Sequence, residues 1–306
     1  MKSWKYGQWN EKCWVRSGAQ LIHTPSTGMP DDAFPRGLLP YASRLASEFG
    51  ESSLKTALTQ ACFGYLRFTE MLELKSINQV GNRIALGELS VPVSRDLKSR
   101  AFLLVRDEAH HATVSDDVSE QLEELTGVSP LNVALPQFLS DLQMLSDASR
   151  PDVAMHLETA FATISETLIS GSLALIPQDT AVLPLIRDFA AAHMVDEGRH
   201  ASYFSEFFAE WWPQLPKHVR EGLGARLPQL CLAFLRPDLK LHQSVLQSVG
   251  LSESRARDWV LESFPASSLG PSSRKPLQVT LSLFARLGVF DQAATYDAFA
   301  SCGLID

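Results

Sequence analysis

The strongest constraint in this sequence is a set of ionisable residues placed where helices need apolar ones. Over 94–125, apolar positions recur in alternating steps of four and three: Leu97, Ala101, Leu104, Glu108, His111, Ser115, Val118, Leu122 and Leu125. That spacing holds one helical face toward a partner, yet Glu108 and His111 interrupt it. Over 181–213 the seam Ile186, Ala190, His193, Glu197, His200, Phe204, Phe207, Trp211 carries three ionisable residues in a row. Over 151–176 the seam Met155, Thr159, Ala162, Glu166, Ile169, Leu173, Ile176 carries one carboxylate. Over 53–85 the seam Cys62, Leu66, Thr69, Glu73, Ser76, Val80 carries another.

Burying an unpaired charge costs several kcal/mol or more. No lysine or arginine shares these seams, so ion pairing within the core does not rescue the carboxylates. Divalent cations do, and four carboxylates balance two of them. Glu-x-x-His sets both side chains on one helical face, about 5–6 Å apart at Cβ. Two such helices plus two single-Glu helices make the ligand set of a carboxylate-bridged dinuclear site. Oxygen and nitrogen donors without thiolate favour iron or manganese. Glu70 is the rival of Glu73 and lies about 60° around the helix, further from the seam centre. Asp107 and Asp196 precede the two glutamates in the strings DEAHH and DEGRH. They read either as outer partners of metal-bound imidazoles, reaching across to the other helix, or as exposed acids. His110 falls off the seam, and His23, His156, His218 and His242 read as structural.

The rest of the chain reads as one all-α ferritin-like domain over 1–306. An irregular, tryptophan-bearing lead (1–50; Trp4, Trp9, Trp14) precedes a four-helix core (51–213), and further helices (214–306) cap it. A short helix is expected near 134–147. Beyond the core, helices are expected near 217–226, 228–248, 252–264 and 276–288, with a Pro/Ser-rich loop over 267–276. Pro151 and Pro184 sit where helices tolerate proline, in the first turn. The net charge of −8 argues against a nucleic-acid partner. No run of 18 apolar residues and no secretory leader is visible, so no membrane association is expected. Four isolated cysteines, Cys13, Cys62, Cys231 and Cys302, fit a reducing cytoplasm.

The strings GYLRFTEMLE, RDEAHH, ISETLIS and HMVDEGRH resemble the p-aminobenzoate N-oxygenase family of ferritin-like diiron oxygenases, over roughly 55–210. The most specific element is His193, four residues before Glu197: generic diiron bundles use two histidines, and this family adds a third at that place. The Glu73–Glu108 and Glu166–His193 intervals are similar to the family's without gaps, and Tyr65 matches a family tyrosine near the metals. The resemblance implies that Glu73, Glu108, His111, Glu166, His193, Glu197 and His200 bind two irons. Manganese is accepted by the same donors. It further implies N-oxygenation of an amine by O2 to a hydroxylamine, nitroso or nitro product in natural-product biosynthesis. It also implies an external electron donor with its transfer partner, and a homodimer. The amine is free or tethered to a carrier protein. Phe68, Thr69, Ser76, Ser165 and Ser170 do not identify an arylamine, and Arg67, Arg199, Arg220 and Arg236 stand equal as carboxylate clamps. The competing reading is a diiron hydroxylase or desaturase acting on C–H bonds of an acyl or carrier-tethered substrate.

Overall fold

The computed structural model describes residues 7–17, 21 and 31–306, without the side chains of 170–173 and 271. Trp4, His23 and the side chains of Ser170 and Leu173 therefore lie outside the described residues. Among the described residues every long element is helical, and one β-bridge pairs Asp32 with Val182. Two short helices, α1 (Gly7–Lys12) and α2 (Trp14–Ser17), come first. They are followed by α3 (Ala42–Leu72), a π-helical turn (Glu73–Ile77) and α4 (Asn78–Leu86). The core continues with α5 (Arg95–Thr126), α6 (Gln137–Asp147), α7 (Pro151–Leu173) and α8 (Pro184–Trp211). The chain ends with α9 (Lys217–Gly224), α10 (Leu227–Leu235), α11 (Leu239–Ser248), α12 (Glu253–Ser263), α13 (Leu269–Ser273), α14 (Gln278–Arg286) and α15 (Ala293–Ser301).

The helix ends follow local chemistry. Ser94 caps α5 by accepting from the Leu97 amide, and Gly127 ends it in the left-handed region at φ 65°. Pro151 and Pro184 open α7 and α8. Helices α3 and α4 pack on α5, α7 packs on α8, and α5 meets α8, which closes a four-rod bundle. Helices α9, α10 and α14 cover α7, and α11 covers α3. The all-α bundle expected from the seams is the observed fold.

Several local expectations are corrected. The lead contains helical turns rather than only irregular chain, and α3 begins at Ala42, before Gly50. Gly50 kinks α3 with φ 86°, a conformation that glycine adopts at no steric cost. The helix expected over 228–248 breaks between α10 and α11, because Pro237 disfavours helical geometry in Arg236 and Asp238 caps a new helix. The loop expected over 267–276 carries α13, and α15 was not anticipated. Leu125 and Met155, at the ends of their seams, are 39% and 55% exposed. A straight helix drifts about 20° per heptad against a 3.5-residue seam, so long seams leave the core at their ends.

The α11 packing also carries a titration. The Tyr41 hydroxyl and His242 Nδ1 share a hydrogen bond at 2.9 Å, and the Phe264 ring centroid lies 4.6 Å from that of the imidazole. Burial holds the His242 pKa down at about 4. An unfolded histidine titrates near 6.5, so between these values the unfolded chain binds more protons. Stability is therefore lost as pH falls from about 6.5 toward about 4, by up to about 3 kcal/mol from this residue. The His242→Gln variant should lose less stability than the parent between pH 7 and pH 5, measured by urea midpoints. Identical slopes for both proteins would refute this.

Candidate metal centre

Each rod brings its ionisable seam residue to one level of the core. Glu73 comes from the π turn after α3, Glu108 and His111 from α5, Glu166 from α7, and His193, Glu197 and His200 from α8. All seven have zero solvent exposure. Donor atoms of Glu73, His111, His193 and Glu197 lie within 4.8 Å of one another, as do those of Glu108, His111, Glu197 and His200. Glu73, Glu108 and Glu166 form a third such group. His111 and Glu197 belong to both four-residue groups.

The π turn was invisible in the sequence. It inserts one residue into the helical ladder, with the Asn78 amide bonding the Glu73 carbonyl. Ser76 and Ile77 are then both buried beside Glu73. Glu70 points elsewhere: it pairs with Arg67 at 2.8 Å and lines an outer cavity of about 290 Å³ with Gln60, Phe63 and Asp116.

The close approaches have the character of lone pairs sharing a target. His200 Nδ1 lies 2.7 Å from Glu108 Oε1, and His193 Nε2 lies 2.9 Å from Glu197 Oε1. Neither contact has hydrogen-bond direction: both oxygens of Glu73, Glu166 and Glu197 and both nitrogens of His193 and His200 are buried without a hydrogen-bond partner. Orphaned polar atoms of this density are rare in native proteins. A divalent pair with oxygen and nitrogen preference would satisfy the carboxylate oxygens and one nitrogen of each imidazole, so the donor set fits such a group.

Electrostatics agree with a site built for cations. Burial, then the neighbouring Glu108 carboxylate, pushes Glu73 well above the carboxylate range. Burial and Glu197 do the same to Glu166. Burial also opposes ionisation of Glu108, but His200 and His111 outweigh it and hold Glu108 at about 2. His200 is raised because Glu108 and Glu197 overcome its burial, whereas burial and the neighbouring His111 lower His193.

Asp107 and Asp196 are fully buried, which removes the exposed-acid reading, and each reaches across to the opposite helix. Asp196 Oδ2 lies 3.1 Å from His111 Nε2, and Asp107 Oδ2 lies 3.7 Å from His200 Nε2. Tyr65 borders the cluster, its ring against Phe34 and Phe189. Burial raises its pKa, with Cys62, Glu197 and Glu73 adding to the effect, so it stays a neutral phenol. Of the other residues singled out, Phe68 packs on Phe138 and Phe234, Thr69 and Ser76 are buried, and Ser165 bonds back to its own helix. Arg199 pairs with Asp196, Arg220 with the Pro213 carbonyl and Arg236 with Asp141. Each guanidinium considered as a clamp thus has a partner outside the seven-residue cluster. His156 packs on Trp211, His110 packs on Trp14, and His218 approaches Asp152 at 3.3 Å.

Sequence reasoning missed the contribution of the lead. Trp9 Nε1 donates to Asp107 Oδ2 at 2.7 Å, and the Trp14 amide donates to Asp196 at 3.1 Å. The only signal was the tryptophan density of the first residues.

The chain matches the family described as p-aminobenzoate N-oxygenase AurF over residues 58–269. No curated protein matches the chain.

Proposed function

This chain belongs to the p-aminobenzoate N-oxygenase family and is an oxidoreductase of the diiron N-oxygenase kind; from that premise we propose how its residues serve the reaction. Glu73, Glu108, His111, Glu166, His193, Glu197 and His200 hold two irons. The observation that carries this reading is the convergence of seven fully buried residues, among which the side-chain oxygens and nitrogens of Glu73, Glu166, Glu197, His193 and His200 have no hydrogen-bond partner. When bound, the iron pair supplies activation of O2. The four carboxylates balance the two divalent charges, and His193 adds a third nitrogen donor on the α8 side. Asp107 and Asp196 orient His200 and His111 through their remote nitrogens. The packed interior keeps water from the reacting atoms, and Tyr65 presents a protonated phenol at its edge.

The substrate is a small amine, free or carrier-tethered, and the setting is natural-product biosynthesis. One oxygen atom enters an N–H bond to give the hydroxylamine. The other leaves as water, with an electron pair and protons from an external reductant and its transfer partner. Repeated rounds give nitroso and nitro products. Among the described residues no helix is long and apolar enough to cross a membrane, and the four cysteines are free thiols. We place the enzyme in the cytoplasm, as a homodimer.

The test is anaerobic loading with ferrous iron, then exposure to O2 and reductant with a panel of aryl and alkyl amines and acyl compounds. Two irons per chain are expected, with amine products that have gained oxygen by mass spectrometry. Less than one iron per chain would remove the dinuclear assignment. Products confined to the acyl compounds would move the reaction to C–H bonds.

A further inference from the structure

The lead segment does more than pack on the bundle, and it lies ahead of the region matched by the family. We propose that residues 7–17 form a clasp that positions the metal-binding imidazoles, with the Trp9 indole and the Trp14 amide as its positioning groups; the inference rests on the metal reading above.

The clasp repeats one arrangement on two helices. On α5, Asp107 accepts from the Trp9 indole at 2.7 Å and from the Arg106 guanidinium at 2.7 Å, and its Oδ2 faces His200 of α8. On α8, Asp196 accepts from the Trp14 amide at 3.1 Å, pairs with Arg199, and faces His111 of α5. The same two arginines pin the clasp. Arg106 donates to Asn10 Oδ1 at 2.6 Å and to Cys13 Sγ at 2.8 Å, and Arg199 donates to the Lys12 carbonyl at 3.2 Å. The Trp9 ring lies 5.8 Å from the His200 ring, and the Trp14 ring lies 6.1 Å from the His111 ring.

The physical consequence follows from how an imidazole is held. A metal-bound histidine is oriented, and made more basic, by the acceptor at its remote nitrogen. That acceptor does so only if its own position is fixed. A carboxylate has room for about four hydrogen bonds, and free rotation would spread Asp107 and Asp196 over several geometries. The clasp adds one donor from outside to each aspartate and covers both, which are fully buried. Trp9 itself remains partly exposed, so the clasp is the layer between the outer end of the two aspartate–histidine pairs and solvent.

The deciding variant is Trp9→Phe, which keeps a ring against His200 and Tyr203 but removes the N–H. Parent and variant are loaded with ferrous iron without O2. Three quantities are then read: iron per chain at saturation, the rate of iron release to a ferrous chelator, and the near-infrared circular dichroism of the ferrous centre. Trp9→Phe should reach the parent's stoichiometry, keep the metal-free melting temperature, release iron about ten-fold faster and show shifted ligand-field bands. Deletion of residues 1–17 should act in the same direction, about 100-fold. Release within about two-fold of the parent, with unchanged bands, would overturn the clasp even if the deletion variant fails to fold. A parent that binds no iron would overturn the metal reading and the clasp with it. A parent that binds two irons while Trp9→Phe behaves identically defeats the clasp alone.

Discussion

Replacing Glu197 with alanine is expected to lower amine N-oxygenation by at least about 1,000-fold, or about 4 kcal/mol of barrier, and to leave neither iron position properly filled. The reason is its place in the cluster. Glu197 contributes to both four-donor groups, and its Oε1 lies 2.9 Å from His193 Nε2 and 3.4 Å from both His111 Nδ1 and His200 Nδ1. No neighbouring carboxylate can take over without leaving its own position, since Glu73, Glu108 and Glu166 already form the adjoining group. Glu197→Gln preserves shape and removes the charge, so it separates loss of ligation from loss of folding. Iron content by absorption spectrometry and product formation by mass spectrometry check both variants. Parental turnover in Glu197→Gln would remove Glu197 from the ligand set.

Stripping the metals should destabilise the protein by more than any single substitution considered above. A ligand present at about a thousand times its dissociation constant adds about 4 kcal/mol per site. Two sites thus add about 8 kcal/mol, and for a chain of this size the melting temperature should fall on the order of 15 °C on chelation. The metal-free cluster has no good alternative. Glu73 and Glu166 are forced toward their neutral forms by burial and by neighbouring carboxylates, and the orphaned oxygens and nitrogens stay unbonded. Calorimetry with ferrous iron, with chelator, and with iron restored measures the effect. Coincident melting curves in all three conditions would mean that the cluster satisfies itself without cations.

The cluster was readable from sequence because helices translate spacing into direction. Steps of four and three fix which residues share a face, and a charge on a face otherwise made of leucine, isoleucine and phenylalanine has to be compensated. The same rule distinguished Glu73 from Glu70 only by degree. It failed where the backbone departs from 3.6 residues per turn: the π turn at Glu73–Ile77 and the kink at Gly50. It also failed at seam ends, where Leu125 and Met155 rotate into solvent. The C-terminal helices were placed less well because their turns depend on local proline and cap geometry at Pro237 and Asp238, which periodicity does not encode.

What the chain determined by itself was the helical class and the seven residues that share its seams, since both follow from short-range periodicity. Only the tertiary structure decided that Asp107 faces His200 and Asp196 faces His111 across the α5–α8 contact. The same holds for the lead segment more than 90 residues upstream, which closes over both aspartates. Hydrogen bonds between residues so distant in sequence leave no periodic trace, because their geometry is set by how the rods pack rather than by how each one winds.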